Sequence, residues 1–292
     1  MSAKVGTDKI RLTERDLRIL KALREYQVLS TSQIQRLFFP SRCRALKRLN
    51  LLRNQELLRR HLRRVAPCEG SVEALYLPSR RGLRTLFQHD HSGRYYSSKI
   101  GHPPSDLFLE HTLARNDFRI AVESASNKCH GVSFQWWRHD KSIGLDCPQT
   151  YSNSLAINGP RRIVPDGLFA VDYNGRTLHY YVEIDRGTMS LQRIRSKMMA
   201  YVYHEIQSWA ASREESDTQH VLWVTTSRQR QSNLKSISES LEYRRASSKL
   251  FRFSHDEQLY GNSESRAFWI AWECPHTTRN IGILPSPPNI HS

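Results

Sequence analysis

Residues 164–187 read VPDGLFAVDYNGRTLHYYVEIDRG, and the way this stretch pairs with itself decides the fold around it. Asn174-Gly175 stands between two alternating apolar runs. That is the strongest short-range signature of a two-residue type I′ turn, because both turn positions need positive φ. Such a turn sets Tyr173 against Arg176, Asp166 against Glu183 and Val164 against Asp185. Alternation then places Phe169, Val171, Leu178, Tyr180, Val182 and Ile184 on a core face. Asp166, His179, Tyr181, Glu183 and Asp185 fall on the other. Directly opposed carboxylates, with Cβ atoms roughly 4.5–5.5 Å apart, repel each other, so this register asks for a cation between Asp166 and Glu183. A hard divalent ion, Mg²⁺ or Mn²⁺, is the expected one, since such ions prefer oxygen ligands. The alternative is a wet face whose acids are solvated or paired with Arg161, Arg162 and Arg186.

Working outward, residues 105–125 are apolar around much of a helical circumference, with Glu110, His111 and Asp117 as polar exceptions. Residues 132–139 read as a strand, 188–210 as a long helix, 220–227 as a core strand and 230–245 as another helix. LFRFSH and AFWIAWE, at 250–255 and 267–273, read as closing strands. These elements describe an α/β or α+β domain with a central mixed sheet over 106–273. The Pro-rich tail at 274–292 reads as loose.

The first third is a different kind of sequence. Residues 1–100 hold 22 Lys+Arg against 8 Asp+Glu, and the remaining residues hold 22 against 20, so the net charge of +16 sits almost entirely at the front. A concentrated basic surplus is the footprint of a nucleic-acid-binding module. Thr13 caps a first helix carrying Leu17, Leu20 and Leu23, and Ser30 or Thr31 caps a second with Ile34, Leu37 and Phe38. A third follows Pro40-Ser41, with Leu46, Leu49 and Leu52 inward. Two β-like runs at 56–65 and 71–78 and a further helix at 79–88 complete a winged helix-turn-helix over 10–88. Arg42, Arg44, Lys47 and Arg48 on the third helix would read DNA, and Arg59, Arg60, Arg63 and Arg64 on the hairpin would hold phosphates.

Residues 89–105 are polar and contain Gly and Pro, the composition of an interdomain linker. His89-Asp90-His91 with Tyr95 and Tyr96 resembles the paired histidines and nucleophilic tyrosine of rolling-circle nickases. Those histidines need a buried strand to hold a metal, and this tract offers none, so it reads as linker. No apolar run approaches the roughly 18–20 residues a membrane helix needs, and the first residues carry no apolar signal core. Five scattered cysteines without a CxxC pair fit reduced thiols, so a cytoplasmic protein is expected.

The spacing of Pro165-Asp166 and then Glu183 with Asp185 resembles the PD-(D/E)XK nuclease superfamily. That resemblance implies that Asp166, Glu183 and a helix acid bind the metal, with Glu110 as the candidate and Asp117 and Glu123 behind it. It also implies a lysine two residues after the second acid, where this chain has Asp185. In members whose lysine migrates to a helix, Lys197 is the available donor, at helical spacing with Arg193 and Tyr201. The catalytic set so implied is Asp166, Glu183, Asp185, Lys197 and Glu110. The order of a winged helix, Glu110-His111, PDG, VEIDRGT and then Lys197 and Tyr201 is similar to the replication-relaxation family of plasmids and mobile elements. This implies DNA as partner, in replication, relaxation or mobilisation, beside a second copy of the chain or replication and relaxosome proteins. A metal-dependent endonuclease targeted by its winged helix is the alternative. A plain transcriptional repressor would leave the second domain without a use.

Overall fold

The computed structural model describes residues 11–62, 73–90, 106–146, 162–211, 220–241, 243–260, 265–276 and 280–284. It is a mixed α+β protein whose chain divides into two compact units, Met1–Ile120 and Ala121–Ser292.

In the first unit the helix caps are written in the local sequence. Helix α1 (Glu14–Tyr26) starts from a capping box in which the Asp16 carboxylate accepts from Thr13 N at 2.7 Å. Helix α2 (Thr31–Phe38) starts from the same device built of Ser30 and Gln33, and Ser41 caps α3 (Arg42–Asn54). Their apolar stripes meet in a core of Ile19, Leu20, Leu23, Ile34, Leu49 and Leu52. Strands β1 (Leu29–Ser30), β2 (Leu58–His61) and β3 (Leu75–Pro78) pair antiparallel in the order β1-β3-β2. The expected hairpin thus gains a third strand from Leu29–Ser30, a two-residue piece too short to show a period. Helix α4 (Arg80–Asp90) takes in His89 and Asp90, two residues expected in the linker, whereas His91, Tyr95 and Tyr96 lie outside the described residues.

Helix α5 (Asp106–Lys128) was expected to belong wholly to the second domain, yet the division between units falls inside it, after Ile120. The reason is its polar and apolar partners. Asn116 donates to the carbonyls of Tyr26 and Val28 at 3.1 and 2.6 Å, Arg119 pairs with Glu25 at 2.8 Å, and Leu109 packs with Val28, Leu75 and Leu77.

The second unit is built on a seven-stranded sheet. Strands β4 (Val132–Arg138), β7 (Gly167–Tyr173) and β8 (Arg176–Asp185) form an antiparallel meander, and the short pair β5 (Leu145–Asp146) and β6 (Arg162–Ile163) stands apart from it. Helix α6 (Leu191–Ala211) then crosses to β9 (His220–Thr225), which runs parallel to β8. Helices α7 (Arg228–Glu239) and α8 (Arg244–Leu250) lead to β10 (Phe251–His255), parallel to β9. Residues 230–245 therefore form parts of two helices rather than one, broken at Ser240.

Asn174 and Gly175 adopt φ of 51° and 82°, and the ladder runs from Tyr173–Arg176 to Gly167–Val182, the register the turn dictates. It stops one pair short of Asp166–Glu183. Asp166 leaves the regular ladder, its N donating to Val182 O at 3.0 Å and its carboxylate accepting from Ile184 N at 2.8 Å. Val164 is accordingly not paired with Asp185.

The run AFWIAWE does not form the expected strand. After α9 (Asp256–Tyr260), residues Ser265–Ile270 are helix α10 and only Trp272–Glu273 form strand β11, because an apolar run without alternation does not distinguish buried helix from strand. Nor is the tail loose throughout. Strand β12 (Asn280–Ile281) pairs with β11, Ile283 N donates to Trp269 O at 3.0 Å, and Tyr180 Oη donates to Ile283 O at 2.7 Å. Residues 285–292 lie outside the described residues.

Candidate functional site

The acidic side of the hairpin is covered. Glu183 and Asp185 are 2% and 6% exposed, because α6 lays Ile194, Met198, Tyr201 and Val202 over the sheet with Tyr181, Val221 and Trp223. Spacing of four residues turns Lys197 and Tyr201 toward β8 together. Lys197 Nζ lies 2.5 Å from Glu183 Oε2, and Tyr201 Oη donates to Glu183 Oε1 at 2.5 Å. Arg193, one turn earlier on the same helix, is exposed. Half-buried Asp166 acts on this group through its charge. The cation that the register asked for is thus present as an ammonium.

Burial pushes the Glu183 carboxyl up to about 7, with the charge of Asp166 reinforcing it and Lys197 and Tyr201 opposing it. Burial alone would discharge Lys197, but the charges of Glu183 and Asp166 outweigh it and hold the ammonium above its ordinary range. Tyr201 is driven well above the usual phenol value, by burial first and then by Glu183.

Asp185 makes a separate set of bonds. Arg230, in the first turn of α7, meets it with both prongs, Nε to Oδ2 at 2.7 Å and Nη2 to Oδ1 at 3.2 Å. Thr225 Oγ1 and Gly187 N add bonds of 3.2 Å each. Arg230 Nη2 also donates to Met189 O at 2.7 Å, so one guanidinium fastens the β8–α6 connection. Arg230 has no local signal, and its place follows only from the parallel pairing of β8 and β9: the two strands end together, and a helix that starts just after β9 opens beside the end of β8.

Glu110, the candidate helix acid, stands exposed in the first unit, where Asp117 is ion-paired with Arg36. Among the proposed DNA contacts, Arg44 and Lys47 are exposed on α3, and Arg59 and Arg60 are exposed on β2. Arg42 pairs with Glu73 at 3.0 Å. Arg48 does not face outward as the leucine spacing predicts. It binds fully buried Asp16 through two bonds, Nε to Oδ1 at 2.8 Å and Nη2 to Oδ2, and is a structural residue. Arg63 and Arg64 lie outside the described residues.

The sequence model of the replication-relaxation family matches residues 20–220. The chain belongs to the replication-relaxation family. The matched stretch takes in the first unit from residue 20 onward and, in the second, Asp166, Glu183, Lys197 and Tyr201. No curated protein and no solved structure matches the chain. None of the described helices is long and apolar enough to cross a membrane.

The side chains of this family member can be tested as ligands for a divalent ion. Such an ion needs several oxygens, near six for Mg²⁺. Both oxygens of Glu183 are engaged by Lys197 and Tyr201, and one oxygen of Asp166 by Ile184 N. Among the described residues no three His, Cys, Asp or Glu side chains gather as a metal-holding group. As packed, these residues do not fit a divalent ion.

Proposed function

We propose that this replication-relaxation protein binds duplex DNA through a winged helix-turn-helix in residues 12–78, acting in the replication, relaxation or mobilisation of a plasmid or mobile element. The observation that carries the reading is the outward face of the first unit. Arg44 and Lys47 stand exposed on α3 beside the basic strand β2, and among the described residues neither side chain makes a hydrogen bond or ion pair. Cations left unpaired on a helix that follows a short helix–turn pair are suited to phosphates and base edges. Changing Arg44 and Lys47 together to Ala is expected to weaken duplex binding at least about tenfold and to flatten its dependence on log salt by about two. Fluorescence anisotropy across a salt series measures both. Unchanged affinity removes α3 as the reader.

A second reading, a metal-dependent DNA endonuclease with a PD-(D/E)XK core, draws on one specific observation. Asp166, Glu183 and Lys197, the two acids and the cation that such a core would use, stand together where β8 meets the crossing helix α6. That reading requires further oxygen ligands and the release of Glu183 from Lys197. Incubation of supercoiled plasmid with Mg²⁺ or Mn²⁺ tests it: nicking by the wild type that disappears in Asp166→Ala and Glu183→Ala is the result it requires. No nicking by the wild type overturns it, and nicking that persists in both variants removes Asp166 and Glu183 as its site.

A further inference from the structure

Strand β4 carries an irregularity whose effect is to re-aim two side chains. Its pairing with β7 shifts by one between Phe134–Val171 and Trp136–Ala170, so Gln135 is an extra residue. Regular alternation would leave Trp136 and Arg138 on the face of Val132 and Phe134. The bulge moves them to the opposite face, the one that also carries His179, Tyr181 and Glu183. Trp137 takes the other side and stacks on Phe169 at 5.8 Å.

The rings so placed form a small platform. Trp136 and His179 lie with centroids 5.6 Å apart, and the Arg138 guanidinium sits 5.1 Å from the Trp136 ring centre. Trp136 and His179 are half-buried and Arg138 is exposed. Among the described residues these three side chains make no hydrogen bond or ion pair, so the indole N–H, the imidazole and the guanidinium keep their capacity for a ligand. Of the neighbouring acids, Asp172 accepts from Gly175 N at 3.1 Å and Asp140 from Ser142 N at 2.7 Å, with the charges of His139 and Arg138 also acting on Asp140. A strand advances about 3.4 Å per residue, so His179 lies roughly 14 Å from Glu183 along one strand face.

We propose that Trp136, Arg138 and His179 form a stacking platform for single-stranded nucleic acid, separate from the duplex-binding face of the first unit. Unpaired bases stack on Trp and His rings and on guanidinium planes, and the same guanidinium meets the phosphate charge. A duplex keeps its base faces covered and does not use such a surface. The platform is displayed by a bulge on a strand at the end of the sheet, where a strand of nucleic acid can lie along it.

The test uses the full chain and labelled oligo-dT and oligo-rU of about 15 nucleotides, in the range of single-strand site sizes, beside a duplex of the same length. Trp136→Leu is expected to weaken single-strand binding about tenfold, one stacked base's worth. Trp136→Phe keeps most of the affinity, Arg138→Gln lowers it several-fold, and duplex binding is unchanged by all three. The wild type's preference between dT and rU names the source of the strand. Should Trp136→Leu melt early, the pair Arg138→Gln with His179→Leu takes its place. No single-strand binding by the wild type, equal binding by wild type and variants, or equal losses on duplex and single strand overturn the platform. The Arg44/Lys47 variant losing only duplex binding separates failure here from failure of the first unit's role.

Discussion

Lys197→Met is expected to destabilise the second unit by about 3–5 kcal/mol near pH 8, because removing one partner of a buried pair strands the other charge. For a unit of this size that corresponds to a fall in Tm of about 10 °C. Adding Glu183→Gln should restore most of the loss, since the stranded charge is then gone. The pH dependence follows from Glu183. A carboxyl whose pKa rises from 4.5 to about 7 on folding takes up a proton in the folded state. Its contribution is therefore full below the unfolded pKa and is lost as pH rises through about 7. Wild type should gain stability relative to Glu183→Gln on going from pH 8 to pH 5, by on the order of 3 kcal/mol at most. The Lys197→Met penalty should shrink over the same window, since a protonated Glu183 needs no counter-charge. Thermal melts of the four proteins at the two pH values decide it. A Lys197→Met protein as stable as wild type at pH 8 would show that the ammonium does not compensate Glu183.

Arg48→Ala should cost the first unit about 3 kcal/mol, again by stranding a buried carboxylate, here Asp16 at 0% exposure. Arg48→Lys should recover only part, because an ammonium does not span both oxygens of Asp16 as the guanidinium does. Hydrogen exchange over α1 and α3 reports the loss directly. Intact protection in Arg48→Ala combined with weaker duplex binding would return Arg48 to the reading face and remove its structural role.

What sequence made legible, and what it did not, divides by distance along the chain. The Asn174-Gly175 turn and the helix caps act within a few residues, so the turn's register and the cap at Thr13 were readable, and Ser30 was one of two candidates for the second cap. The acids Asp166 and Glu183 were readable for the same reason, since one tight turn brings them to neighbouring positions. Lys197 and Tyr201 were readable as one face of the following helix, but the depth to which that helix buries Glu183 was not, because hairpin alternation says which residues share a side but not how closely it is covered. Arg48 shows the matching failure: the leucine spacing of α3 places it outward, and the partner that claims it is 32 residues earlier on another helix. Arg230 reaches Asp185 across 45 residues, which no local pattern encodes. Strand β1, at two residues, carries no periodicity to read.

The Asp185–Arg230 clamp has a consequence for how this family member could change over time. A lysine at 185 would set an ammonium against a guanidinium in a closed space and release Met189 and Gly187 from their tethers. The segment that launches α6 would then lose its anchor, and with it the alignment that delivers Lys197 to Glu183. A lysine placed at 185 by one substitution would therefore unsettle the neighbouring Lys197–Glu183 pair. The charge at position 185 can therefore change only together with that of Arg230.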